Sequence, residues 1–139
     1  MDDAKPNLTL PIETAFFILM KAREFDGKVD ETDPDSGSNP TDDLSIDVLE
    51  NRRSDTTLEE LTASIARLND DEQLDLIALI WIGRGDYTLN EWEDARQAAR
   101  DIGRARTPRY VVGIPLVSDY IDEALSQLGY SLEDYMANT

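Results

Sequence analysis

Hydrophobic residues recur every three to four positions along most of the chain, which is the periodicity of an amphipathic helix packed on a core. Near the N-terminus this pattern follows Pro11, and proline fits the first turn of a helix because its missing N–H has no partner there. The apolar stripe ends just before Asp26-Gly27, and glycine commonly closes a helix in the left-handed conformation. We therefore predict an N-terminal helix within residues 1–26. Its inner face consists of Ile12, Ala15, Phe16, Leu19, Ala22 and Phe25.

Residues 27–43 differ in composition from the stretches on either side. They contain one aliphatic residue and two prolines among acidic and small polar residues. Such a segment buries too little apolar surface to order itself, so we predict a mobile acidic linker. The helical domain then covers residues 44–139, with 56–130 as its best-defined part. Residues 44–51 match both the helix and the strand period, and we favour a short helix because a single strand would have no sheet to join.

Capping boxes mark the starts of helices in the second half of the chain. In this motif the N-cap side chain accepts the N3 amide, while the N3 carboxylate accepts the N-cap amide. The helix that follows Asn69 is apolar on nearly every side from Leu74 to Ile82, which predicts burial on every side, with Asp75 as the exception. The three boxes pair Thr57 with Glu60, Asn69 with Glu72, and Thr88 with Glu91.

The later elements are short and are separated by glycine and proline. The helix after the third box ends at Gly103, residues 110–113 read as a short extended segment, and Pro115 opens a further helix. Ser131, with Asp134 three residues later, starts a last turn. We predict an all-α fold, a compact orthogonal or irregular bundle of five to seven helices, to which the acidic linker joins the N-terminal helix.

Charge and missing residue types exclude several chemistries. The chain has 13 basic and 30 acidic residues, a net charge of −17, and neither cysteine nor histidine. Disulfides, thiolate zinc sites, cysteine nucleophiles and Ser-His-Asp catalysis are therefore impossible. A field this negative repels nucleic-acid phosphates and anionic membranes. We predict no cofactor, no metal site, and neither a nucleic acid nor a membrane as partner.

The same reasoning extends to localisation. The longest apolar runs, Phe16–Met20 and Leu76–Ile82, are far shorter than the roughly 18 to 20 residues of a membrane-spanning helix. The chain starts with Met1-Asp2-Asp3, whereas a signal peptide starts with basic residues. We expect a cytoplasmic protein.

Arginines four residues apart form the one place where an anion could dock. Arg96, Arg100 and Arg104 would line one face of a continuing helix, and Arg109 follows just beyond. The competing interpretation, which we favour, is pairing of these arginines with the chain's own acidic residues.

The Gly83–Tyr87 loop is the second candidate. An EF-hand register of this loop would require calcium ligands at Ile80, Ile82 and Arg84, which cannot supply them, so no metal is expected. Trp81 and Trp92 lie on apolar helix faces and are predicted to pack in the core. No catalytic residue is predicted. The candidate binding surface comprises Arg84, Asp86, Tyr87, Arg96, Arg100, Arg104, Arg109 and Tyr110.

Three strings of residues together resemble a known family. They are Leu79-Ile80-Trp81-Ile82-Gly83-Arg84-Gly85-Asp86-Tyr87, then Glu91-Trp92, then Gly113-Ile114-Pro115, and Thr56-Thr57-Leu58-Glu59-Glu60-Leu61 supports them. The stretch from about residue 54 to 130 resembles domain-of-unknown-function family 3775, a bacterial family of uncharacterised proteins. The resemblance implies a small bacterial helical domain and implies no activity, substrate or catalytic residue.

The leading hypothesis is a non-enzymatic protein-interaction or small-ligand binding module, whose protein partner could be basic. One alternative is an enzyme that uses Asp, Glu, Arg and Tyr side chains around the Gly83–Tyr87 loop. Another is an acidic mimic of nucleic acid that acts on a basic partner. A homodimer through the N-terminal helix is also open, because Phe17, Ile18 and Met20 add apolar surface beyond its inner stripe.

Overall fold

Seven α-helices and no strand make up the described parts of this computed structural model, residues 6–36 and 56–137. The predicted all-α fold is therefore confirmed. The predicted helix at residues 44–51 lies outside these parts, as does the section of the predicted linker from residue 37 onward. The helices are α1 (Ile12–Ser36), α2 (56–66), α3 (Asp70–Arg84), α4 (Trp92–Ala99, preceded by the 3-10 turn Leu89–Glu91), α5 (Thr107–Val112), α6 (Val117–Gln127) and α7 (Leu132–Ala137).

Helix α3 is the central helix, as the sequence predicts. Its capping box is complete, because Asn69 Oδ1 accepts the Glu72 N–H at 2.8 Å and Glu72 Oε1 accepts the Asn69 N–H at 2.9 Å. Helices α4 and α6 pack against it, and α1 packs on α6. The core side chains of α3 include Leu76, Ile77, Ala78, Leu79 and Ile80, all without solvent exposure.

Helices α3 and α6 lie close together at Gly83. A Cβ atom at this position would lie 1.8 Å from the Tyr120 carbonyl oxygen, so the crossing requires a glycine. Two residues later Gly85 ends α3 with φ of 97°, and its N–H reaches the carbonyl oxygens of Trp81 and Ile82. The motif glycines therefore have different roles, one in the α3–α6 contact and one in the helix cap.

Helix α1 does not end at Gly27, so that prediction is wrong. The helix continues to Ser36, and residues 27–36 of the predicted linker are helical. Gly27 is absent from the positions with positive φ, so it does not form the left-handed cap that the prediction needed. The end of an apolar stripe marks the end of burial, while the helical backbone bonds can continue beyond it.

Two further boundaries differ from the prediction. Residues 110–113 are not extended, because α5 covers Thr107–Val112 with Pro108 in its first turn, and the Thr107 hydroxyl donates to the Gly103 carbonyl at 2.8 Å. Proline in a first turn is a helix start signal, and the β-branched Val111 and Val112 continue the helix that it opens. Helix α6 begins at Val117, two residues after the predicted start at Pro115.

The remaining start signals agree in part with the prediction. Glu91 Oε1 accepts the Thr88 N–H at 2.8 Å, and Ser131 Oγ accepts the Asp134 N–H at 3.0 Å. Residue 56 is already helical, so Thr57 lies inside α2 rather than at its cap. The Glu60 carboxylate instead contacts Lys21 Nζ at 2.6 Å, which links α2 to α1.

Helix α1 uses most of its apolar surface within the chain. Ile18 is fully buried, Phe16 is 1% exposed, and the Tyr135 ring of α7 stacks on Phe16 at 4.7 Å. Met20 packs partly on the core, whereas Phe17 is 43% exposed. A homodimer through α1 stays a prediction, with much less free apolar surface available to it than the sequence indicates.

Leu116, just before α6, has the left-handed backbone at φ 60° and a side chain that is 47% exposed. This conformation costs a non-glycine residue about 1–2 kcal/mol. We expect Leu116→Gly to be more stable than Leu116→Ala by about 1 kcal/mol in urea-induced unfolding, because only glycine relieves the backbone strain. A Gly variant that is less stable than the Ala variant would contradict the assigned conformation.

Candidate functional site

The eight predicted surface residues lie in two groups, one at each end of α3. Four of them join Trp81 at its C-terminal end, and three lie near its N-terminal half. Arg109 is exposed on α5 and forms no ion pair with either group in the described part of the chain. The first group is Arg84, Asp86, Tyr87 and Tyr110; the second is Arg96, Arg100 and Arg104.

We call Trp81, Arg84, Asp86, Tyr87 and Tyr110 the aromatic cluster. The Trp81 indole N–H donates to the Tyr110 hydroxyl at 2.8 Å, with the two rings nearly perpendicular and 6.4 Å apart. The Trp81 ring also stacks with Tyr87, at a centroid distance of 5.8 Å and an interplanar angle of 22°. All three rings are partly buried against the core and partly exposed. The indole is thus fixed from two directions at the protein surface.

An ion pair lies beside these rings. The Arg84 guanidinium contacts Asp86 Oδ2 through Nε at 2.8 Å and through a terminal nitrogen at 2.7 Å. This hydrogen bond is the main reason that the pKa of Arg84 lies above its ordinary value. Burial of the guanidinium lowers the pKa, and a hydrogen bond with the Tyr110 hydroxyl raises it by a smaller amount. The arginine therefore stays charged at any physiological pH. Its side chain is 35% exposed, so it remains accessible to a partner.

Local sequence explains how the cluster is assembled. The left-handed Gly85 turns the chain back on itself, and the Asp86 N–H donates to the Trp81 carbonyl at 2.9 Å. This reversal brings Tyr87 over the Trp81 ring, while the helical conformation of α5 brings in Tyr110. Core packing holds for Trp92, which is 6% exposed, but only in part for Trp81. The contact of Trp81 with Tyr110 could be predicted from the sequence only if residues 107–112 were recognised as a helix.

The arginine row does not follow one helix face, because α4 ends at Ala99 and the chain turns at Gly103. Arg96 and Arg104 nevertheless both pair with acids near the start of α3. Arg96 Nε contacts Asp75 Oδ1 at 2.8 Å, and an Arg104 terminal nitrogen contacts Asp70 Oδ1 at 2.8 Å. The favoured interpretation, intramolecular pairing, therefore describes these two arginines.

Arg100 differs from its neighbours in the row. It is exposed and has no ion-pair partner among residues 6–36 and 56–137. It borders a cavity of about 200 Å³ between the first turns of α3 and the α4–α5 connection. We call this cavity the arginine pocket. Its lining residues are Asp70, Gln73, Leu74, Ala99, Arg100, Gly103, Arg104 and Thr107.

Asp75 is the buried carboxylate of the described chain, at 1% exposure. Its Oδ2 accepts the Thr9 N–H at 2.5 Å and the Leu10 N–H at 3.0 Å, while Oδ1 accepts from Arg96. All of these partners belong to the protein, so the group has a structural role. The enzyme hypothesis requires a buried carboxylate beside the Gly83–Tyr87 loop, whereas Asp86 there is 42% exposed and engaged by Arg84.

Two further aspartates contact arginines of neighbouring helices. Arg96 also contacts Asp71 at 3.4 Å, and Arg23 of α1 contacts Asp119 at 3.2 Å on α6. A nucleic-acid mimic would present rows of unpaired carboxylates, whereas Asp71 and Asp119 are each paired with an arginine.

The fold and these surfaces define a small all-α domain with an aromatic cluster at one end of its central helix and an arginine pocket at the other. The chain belongs to the family described as "Protein of unknown function (DUF3775)", whose model matches residues 58–130, just over half of the chain. The resemblance seen in the sequence is thus confirmed. No curated protein and no solved structure matches the chain.

Two observations on the described residues complete the description. None of their helices combines the length and hydrophobicity that crossing a membrane requires. Within the same residues, no three acidic side chains gather in a group that could hold a metal ion.

Proposed function

We propose that this chain is a non-enzymatic protein-interaction module that binds a protein partner through the aromatic cluster. The observation that carries the proposal is the fixed indole of Trp81 between Tyr87 and Tyr110, at the surface and beside the charged Arg84. Tryptophan, tyrosine and arginine are the residue types that dominate binding energy at protein interfaces. Here all three types meet in one patch.

Preorganisation gives this patch a further advantage for binding. A side chain that must be immobilised on association costs about 0.5–1.5 kcal/mol of binding free energy. The indole hydrogen bond to Tyr110 and the two contacts of Arg84 with Asp86 hold these side chains before a partner arrives. Less of the free energy gained by burying the rings would therefore be spent on immobilising these side chains than in a patch whose side chains move freely.

The partner that suits this module has a basic surface. The chain carries a net charge of −17, and complementary charge accelerates association and suppresses wrong partners. The rate of association should then fall as salt shortens the Debye length, about 10 Å at 0.1 M. A bacterial, cytoplasmic setting remains part of the same proposal.

Substitution of Tyr87 tests the proposal. A photo-crosslinking amino acid at position 87 of the full chain, expressed in its own cells, should capture one protein that the same residue at position 130 does not. With that protein purified, Tyr87→Ala should weaken binding by about tenfold or more, because it removes a stacked ring of the patch. Isothermal titration calorimetry gives the dissociation constants.

Tyr130→Ala is the matched control, since Tyr130 is 43% exposed and lies outside the aromatic cluster. It should change the dissociation constant by less than about twofold. Thermal unfolding of both variants establishes that each is folded at the temperature of the binding experiment. The proposal fails if position 87 captures no protein that position 130 does not capture, or if both variants weaken binding equally.

A further inference from the structure

Gln73, in the wall of the arginine pocket, is a buried side chain with one polar atom that lacks a partner among the described residues. Gln73 is 3% exposed, and its Nε2 donates to the Ile65 carbonyl at 3.0 Å. This bond fixes the orientation of the amide, so Oε1 is the free acceptor, and no residue in the described part of the chain donates to it. Buried acceptors are nearly always satisfied, and an unsatisfied one in a cavity wall indicates a donor that enters from outside.

The pocket is also positively charged at its rim. Arg100 has no ion-pair partner within the described ranges, whereas Arg104 is held by Asp70 Oδ1 at 2.8 Å and by the Ala66 carbonyl at 3.2 Å. A guanidinium that the protein leaves unpaired, in a chain with 30 acidic residues, provides a specific site for a carboxylate. Arg100 and Gln73 both line this cavity.

The remaining walls limit the size and shape of a ligand. Leu74 and Ala99 contribute apolar surface, and Thr107, 2% exposed, directs its hydroxyl proton to the Gly103 carbonyl. The volume of about 200 Å³ equals roughly six or seven waters at about 30 Å³ each. That space suits a molecule with a few heavy atoms rather than a nucleotide.

We infer that the arginine pocket binds a small carboxylic acid that also carries an N–H or O–H donor, that is, an amino acid or a 2-hydroxy acid. The carboxylate binds Arg100, and the amino or hydroxyl group donates to Gln73 Oε1. A short side chain of the ligand would contact Leu74 and Ala99. This binding site lies at the opposite end of α3 from the aromatic cluster and is independent of the proposed protein interaction.

Titration of the full, isotope-labelled chain by NMR tests the inference. The panel consists of the proteinogenic amino acids, lactate and glycolate, with propionate and acetate as matched acids that lack the donor, each up to about 10 mM. At least one donor-bearing acid should shift the Gln73 side-chain amide and the Gly103 amide in a saturable way. Its matched acid without the donor should bind at least about tenfold more weakly, because Oε1 is then left unsatisfied.

Inorganic phosphate and sulfate distinguish a carboxylate site from a general anion site. If either binds as tightly as the best acid of the panel, the assignment to a carboxylate is overturned. Absence of saturable shifts for every compound overturns the site itself. Equal affinity of the best donor-bearing acid and its matched acid without the donor overturns the role of Gln73.

A pair of arginine variants separates a built site from the general charge of the surface. Arg100→Gln should weaken binding of the best ligand by at least about tenfold, because it removes the charged contact. Arg109→Gln removes another exposed charge, which lies outside the pocket, and should change the affinity by less than about threefold. Equal losses in the two variants would mean that only the overall field attracts the ligand, which contradicts the inference.

Discussion

Replacing Gly83 by alanine is expected to lower the free energy of unfolding by about 3 kcal/mol or more, because it forces α3 and α6 apart. The new Cβ atom would lie 1.8 Å from the Tyr120 carbonyl oxygen and 2.6 Å from its carbonyl carbon. Both are backbone atoms, so no rotation of a side chain relieves the overlap. In a chain of this size the melting temperature should fall by about 10 °C or more, as measured by circular dichroism.

The matched control is the same substitution at Gly27. This glycine is exposed and helical, and a Cβ atom there meets no atom within 4 Å. Gly27→Ala should therefore raise the stability by up to about 1 kcal/mol, which is the difference in helix propensity. If Gly27→Ala lowers the stability, that result would support the left-handed cap at Gly27 that the sequence predicts. If Gly83→Ala leaves the stability unchanged, that result would contradict the close crossing of α3 and α6.

Short-range chemistry in this chain could be predicted from the sequence. The box of Asn69 and Glu72 forms because both partners are three residues apart in one turn, and the buried segment after it is recognisable by its lack of polar positions. The left-handed Gly85 and Gly103 follow the same local logic. Each of these features depends only on residues within a few positions of one another.

Features that depend on distant contacts are not evident from the sequence. The apolar stripe of α1 ends near Gly27 and predicts the end of the helix there, although the helical backbone continues to Ser36. The left-handed Leu116 has no local signal, because leucine rarely adopts this conformation and only tertiary packing can impose it. Residues 110–113 read as extended in isolation, although Pro108, two residues earlier, is a helix start signal.

The candidate surface shows the same division. Arg84, Asp86 and Tyr87 are close in sequence, and the structure keeps them together. Tyr110 joins them only because α5 is helical and packs beside Trp81, a contact between residues 29 positions apart. Sequence spacing alone also gave the arginine row a single helix face, which the end of α4 at Ala99 breaks.

Asp75→Asn is expected to cost about 3–5 kcal/mol, the largest effect of any change that alters a charge. Removal of this charge leaves the Arg96 guanidinium, 15% exposed, without its buried partner. It also weakens the acceptor for the N–H groups of Thr9 and Leu10, which lie 66 and 65 residues away in the chain. Urea-induced unfolding measures the total loss, and hydrogen exchange of the Thr9 and Leu10 amides reports on the N-terminal segment.

The control is Asp86→Asn, which breaks another aspartate–arginine pair at the far end of the same helix. Its side chain is 42% exposed, so solvent screens the pair and its loss should cost no more than about 1 kcal/mol. If both variants lose the same stability, burial does not strengthen the Asp75 contacts, and the one polar residue of the segment from Leu74 to Ile82 is tolerated rather than needed. If only Asp75→Asn lowers the stability strongly and its Thr9 and Leu10 amides exchange faster, the Asp75 carboxylate holds two segments against α3. These are the residues that precede α1 and the Arg96 side chain of α4. The polar exception in the hydrophobic pattern of α3 would then be the residue that determines how three separate segments are joined.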